Sequence, residues 1–185
     1  MWTARLFCAV VSLCLFSAHV VEHAMEDEQA VLRKHLIYLL RGGGAHVDFD
    51  SAIAGLSAKL RGARPQGIPH TPWRLLEHMR IAQWDILEFS RDPHHVSPDW
   101  PRGYWPEADA PDNAAAWAKS VKAFRRDLKG MERLVSSPST DLYVRLQHGD
   151  GQTILREALL IADHNAYHLG ELVVVRRLLN AWPQG

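Results

Sequence analysis

Apolar residues recur at helical spacing in four stretches of the chain. The first runs from about Glu26 to Leu40, with Val31, Leu32, Leu36 and Leu39 on one side, and the Gly42-Gly43-Gly44 run ends it. The second opens at Thr71-Pro72, an N-cap residue followed by proline at the first helical position. It carries Leu75, Met79, Ala82, Ile86 and Phe89 at spacings of four and three, and Asp92-Pro93 ends it. The third is capped by Asp112 and shows Trp117, Val121, Phe124, Leu128, Met131 and Val135, with Lys119, Lys122, Arg126 and Lys129 on the solvated face. The fourth runs from about Thr153 to Trp182 and is apolar on most sides, as expected of a helix covered by several neighbours. Asp48 to Leu60 reads as a short helix or irregular turn, and Leu142 to Leu146 as a short extended piece within a connection. No alternating strand pattern and no internal repeat interrupts this order. The expected fold is all-α: a four-helix bundle in one domain over residues 25–185, with long connections between helices.

Residues 1–24 differ from the remainder. Arg5 precedes an apolar run from Leu6 to Ala18, which is too short to span a bilayer comfortably and resembles the core of a secretory signal. A small-x-small cleavage site is missing, and Met25-Glu26-Asp27-Glu28 reads as a natural start with acidic residues in a first helical turn. Two readings follow: an upstream extension on a cytoplasmic protein, or an export signal. Neither predicts stable membrane insertion. Both cysteines, Cys8 and Cys14, lie in this segment, so the bundle has no thiol for a disulfide or a zinc site. Lys+Arg and Asp+Glu are both 21, which leaves no basic excess to grip a nucleic acid.

Composition adds one unusual number, 11 histidines. His164 and His168 are four apart, so their Cβ atoms lie about 6 Å apart on one helix face. They share a stripe with Ile161, Leu172 and Val175, which directs them towards the core. Buried imidazoles without partners would cost about 1–3 kcal/mol each, and a shared metal ion would relieve that cost. His78, beside the core stripe of the second helix, can point into the same space. Three histidines would leave one position open to water or substrate. The alternative is ordinary core packing. Glu171, three after His168, reads as a fourth ligand, a base or a solvated charge. Gly170 reads either as a point of close approach by a helix or ligand, or as plain helix packing. His46, His70, His94 and His95 read as surface or loop residues, or else as residues that touch the site.

The segments Pro72-Trp73-Arg74-Leu75-Leu76-Glu77-His78 and Ala162-Asp163-His164-Asn165-Ala166-Tyr167-His168-Leu169-Gly170-Glu171-Leu172 resemble those of the DinB-like (YfiT-like) metalloenzymes. The resemblance covers most of Met25 to Trp182. It implies a four-helix bundle, frequently a homodimer, with metal ligands that fall on His78, His164 and His168. Some members look like transferases that use low-molecular-weight thiols, and others are linked to isomerisation or hydrolysis.

The functional expectation is a divalent-metal-dependent enzyme acting on a small-molecule substrate, a thiol transferase or a hydrolase. Zinc is the default ion for three imidazoles, and nickel, iron and manganese suit the same ligands. A non-catalytic bundle with a structural metal, or a small-molecule sensor, is the alternative. The Trp100 to Pro106 loop reads as a pocket wall or lid, with Arg102 placed to meet a substrate carboxylate, or as a loop stapled to the bundle by its tryptophans.

Overall fold

A computed structural model describes residues 28–183. The extension expected over residues 1–24, its two cysteines and the start expected at Glu26 lie outside the described residues. Two compact units are recognised, Met1–His35 and Leu36–Gly185. In the first, residues 28–35 are described and are helical. The second holds all the remaining structure.

The fold is all-α, as the periodicity predicts. Residues 28–41 are helical (α1), followed by α2 (Phe49–Ile53), α3 (Pro72–Arg91), α4 (Ala114–Ser136) and α5 (Ile154–Leu178), with two short 3-10 turns at Ala58–Leu60 and Arg102–Tyr104. Among the described residues the only β-pairing is an isolated bridge between Arg145 and Thr153. None of the described helices is long and apolar enough to cross a membrane.

Local chemistry sets the ends of the helices. The Thr71 hydroxyl accepts from the Arg74 amide at 3.2 Å, and the Thr153 hydroxyl accepts from the Arg156 amide at 3.2 Å. The cap of α4 is Asn113 and not Asp112. The Asn113 side chain accepts from the Ala116 amide at 2.9 Å, and Asp112 lies one residue too early to reach it. Gly42 stops α1 in the left-handed conformation, at φ 68°. α5 ends at Leu178, short of the expected Trp182. Asn180 turns left-handed at φ 53°, and the Asn180 and Ala181 amides fold back onto the Arg177 and Arg176 carbonyls. That is a Schellman closure, and asparagine tolerates its geometry.

α3 packs against both α4 and α5. The core between them collects Trp73, Leu75, Leu76 and Met79 from α3, Trp117, Val121 and Phe124 from α4, and Leu169, Leu172 and Val175 from α5; Phe49 of α2 stacks on Phe124 at 3.8 Å. α3 and α4 approach closely at Gly130, where a Cβ would stand 2.6 Å from the Leu87 side chain. No such approach occurs at Gly170, where an added Cβ would meet nothing, so packing gives no reason for a glycine there. In α1, Leu36 is buried as expected, and Leu40 continues its stripe in place of Leu39, which is half exposed. The 142–146 piece is a pinned loop: Leu142 is buried and its carbonyl accepts from the Leu155 amide, while Tyr143 and Val144 stay exposed.

Candidate metal centre

α3 contributes His78, and α5 contributes His164 and His168 one turn apart. The three rings form a nearly regular triangle, with centroids 4.8 Å (His78–His164), 4.5 Å (His78–His168) and 4.6 Å (His164–His168) apart. Each offers one nitrogen within 4.8 Å of the other two, and the group can hold a metal ion. His78 and His168 are buried and His164 is half-buried.

The orientation of two rings is fixed from behind. His78 Nδ1 donates to the Tyr104 carbonyl oxygen at 2.9 Å; that oxygen can only accept, so Nε2 carries the lone pair. His168 Nδ1 donates to Glu171 Oε2 at 3.0 Å, which fixes the same tautomer in the second ring. That hydrogen bond also pulls the Glu171 carboxyl below its ordinary pKa, against the opposing effect of burial, so it stays ionised. His164 Nε2 lies 3.1 Å from His78 Nε2. Two nitrogens at that separation can both sit about 2.0–2.1 Å from one divalent ion.

Electrostatics supply the required protonation state. Burial lowers His78 to about 4, and the charge His168 would carry adds to the shift while the Tyr104 carbonyl opposes it. Burial likewise lowers His164 to about 4, assisted by His168 and His78 and opposed by Asn165. Neutral imidazole is the metal-ligating form, so the donor set fits a divalent cation.

These shifts carry a pH dependence for the metal-free protein. Between about 6.5, the ordinary histidine value, and about 4, the unfolded chain binds protons that folded His78 and His164 do not. Stability from this source is complete above the unfolded value and falls as pH drops through that window. The unfolding free energy of the chelated protein, read from urea titrations, should therefore decline from pH 6.5 to 4.5, by up to about 3 kcal/mol for the first proton forced in. His164→Ala should flatten the decline, and an equal slope in that variant would show the rings to be solvated.

The loop before Pro106 builds one wall. Trp105 lies flat on His78, with centroids 3.8 Å apart and planes 3° apart, and His70 covers its other face at 4.1 Å. Of the two expected staples, only Trp105 serves; Trp100 is 73% exposed. A cleft of about 650 Å³ adjoins Trp105 and His70 and is lined further by Arg74, Arg102 and Glu107. None of the three clustered histidines lines it.

The other expected residues divide. Glu171 is neither a member of the nitrogen cluster nor a free charge, since it holds His168. His70 belongs to the second layer. His95 is no surface residue: its Nε2 meets Asp85 Oδ1 at 2.7 Å, with both side chains almost wholly buried. His94 is exposed, and His46 and His148 bind backbone carbonyls of Val47 and Phe89. The sequence reading missed Asp85, although it lies seven residues after His78 and so on the same face of α3. It also missed the buried Gln83–Asn165 amide pair, 2.9 Å apart, beside His164.

A family model described as the DinB superfamily matches residues 44–172, more than half of the chain and all three clustered histidines. No curated protein and no solved structure matches it.

Proposed function

This chain belongs to the DinB superfamily, and from that premise we propose that His78, His164 and His168 hold one divalent ion, zinc in the first instance, in an enzyme that transfers a low-molecular-weight thiol or hydrolyses a small substrate. One observation carries the reading. Two imidazoles, His78 and His168, have Nδ1 committed to an acceptor, and each offers a nitrogen within 4.8 Å of the other and of His164. Three neutral ligands leave the ion its full positive charge, which lowers the pKa of a thiol or water in the remaining position.

The chain's own residues orient and shield. The Tyr104 carbonyl and the Glu171 carboxylate keep the two rings from turning. Trp105 excludes water from the His78 side. Arg74 and Arg102 line the neighbouring cleft, where a guanidinium can meet the carboxylate of a peptide-like thiol.

The test is metal analysis of the purified protein followed by conjugation of a low-molecular-weight thiol to an electrophile, and by ester and amide hydrolysis. One equivalent of metal and a rate that disappears with chelator support the reading. Stoichiometric metal with no reaction would leave the non-catalytic alternative, a structural or sensing centre. No metal at all would refute both.

A further inference from the structure

Asp85 is buried in α3, one helical face with His78, and it is not among the clustered metal-binding groups. Both of its oxygens are taken. Oδ1 meets His95 Nε2 at 2.7 Å, and Oδ2 accepts from the Tyr104 hydroxyl at 2.6 Å. His95 lies four residues beyond the end of α3, and Tyr104 lies near the middle of the connection to α4. One carboxylate on a rigid helix therefore ties that connection down at two points.

What that segment presents to His78 makes the tie informative. The backbone carbonyl of Tyr104 accepts from His78 Nδ1, and the next residue, Trp105, stacks on the same ring. We propose that Asp85 is a positioning residue for His78: by anchoring the Tyr104 hydroxyl it holds the Tyr104 carbonyl and the Trp105 ring against the imidazole, fixing its tautomer and its direction. The consequence for metal affinity rests on the three-histidine reading given above; the consequence for the tautomer does not.

The chemistry of the tie is suited to this role. The Tyr104 hydroxyl is the donor of this tie, 2.6 Å from Asp85 Oδ2. His95, which packs edge-on against Trp84, keeps the second oxygen occupied, so that the carboxylate cannot swing away. A histidine ligand whose far nitrogen loses its acceptor can flip or change tautomer, and loss of such outer partners commonly weakens metal binding 10–100-fold, on the order of one to two decades.

Four variants separate positioning from bulk stability. Tyr104→Phe removes one hydroxyl and leaves the backbone carbonyl in place. Asp85→Leu removes both ties. Asp85→Asn keeps an acceptor for the Tyr104 hydroxyl, and His95 can offer a lone pair to the new amide. Leu142→Ala opens a cavity at a fully buried residue of the 142–146 loop and serves as the control for lost stability. Zinc affinity is read by competition with a chelator, and the His78 tautomer by ¹⁵N chemical shifts in the metal-free protein.

Tyr104→Phe and Asp85→Leu should raise the zinc Kd by about tenfold or more and replace a single Nδ1–H form of His78 by a mixture. Asp85→Asn should stay near the parent in both readouts. Leu142→Ala should lower the melting temperature and leave both unmoved. If Asp85→Leu does not fold, Tyr104→Phe decides alone. Parent-like Kd and tautomer in Tyr104→Phe, or an equal loss of affinity in Leu142→Ala, would overturn the proposal. A parent that binds no divalent metal, yet whose His78 tautomer depends on Tyr104, would uphold the positioning role and refute the metal reading.

Discussion

Replacing any one of His78, His164 and His168 by alanine is expected to strip the protein of stoichiometric metal. Two imidazoles hold a divalent ion far more weakly than three, and among the described residues no fourth histidine, cysteine or carboxylate joins the cluster to compensate. Stability should follow occupancy. An ion that binds only the folded state adds about 2.7 kcal/mol when present at a hundredfold excess over its Kd. Chelator should therefore lower the melting temperature of the parent and leave that of His164→Ala unchanged. His94→Ala and His148→Ala should keep their metal, the first being exposed and the second bound to the Phe89 carbonyl. Equal metal content in all five variants would reduce the cluster to core packing.

The three histidines that cluster were legible because helical periodicity fixes direction. A four-residue spacing inside an apolar stripe of α5 leaves His164 and His168 one orientation, and α3 carries His78 beside its own stripe. What surrounds them was not legible in the same way. The acceptor for His78 Nδ1 is a backbone carbonyl, which every residue possesses, so no sequence pattern marks Tyr104 for it. Trp105 reaches His78 through an irregular loop whose course depends on the distant anchor Asp85. Asp85 itself is polar and interrupts an apolar face, the one mark by which it could have been found. Glu171 illustrates the limit from the other side. Its spacing from His168 is right for contact, but spacing alone does not separate ligation from a hydrogen bond on the far nitrogen.

The fold was read to the level of helices and their faces, and errors fell where a single side chain decides. Asn113 displaced Asp112 as a cap because the helix begins at Ala114, which puts the Asn113 side chain in reach of the Ala116 amide. α5 stopped early because Asn180 can turn left-handed, an option that the apolar pattern through Trp182 conceals. Gly170 looked like a contact because it neighbours His168, while the true contact glycine, Gly130, lies on the α4 face against Leu87.

That early end of α5 leads to the largest expected effect on folding. Arg176 is 1% exposed, and among the described residues its guanidinium meets no carboxylate. Its guanidinium donates instead to three backbone carbonyls: Ala52 at 2.5 Å, Ala54 at 2.8 Å and Ala181 at 2.7 and 3.1 Å. Ala52 and Ala54 close the short helix α2, whose last carbonyls have no amide of their own to meet. Ala181 lies in the turn that ends α5, and Trp182 covers the cation at 5.0 Å. Burial lowers the Arg176 pKa, but an arginine starts high enough to remain charged. One side chain thus joins α2 and the C-terminal turn to α5. Arg176→Met keeps much of the volume and leaves those carbonyls without donors, at about 1–3 kcal/mol for each one that water cannot reach. The expected loss is roughly 3–5 kcal/mol, which in a chain of this length is roughly 10 °C in melting temperature. Arg176→Lys should recover less than half of it, because one ammonium cannot reach three carbonyls in a fixed fork. Metal affinity should hold in both variants at temperatures where they are folded, since Arg176 is two helical turns beyond His168. A methionine variant melting within about 2 °C of the parent would mean that water satisfies these carbonyls and that the clamp contributes little.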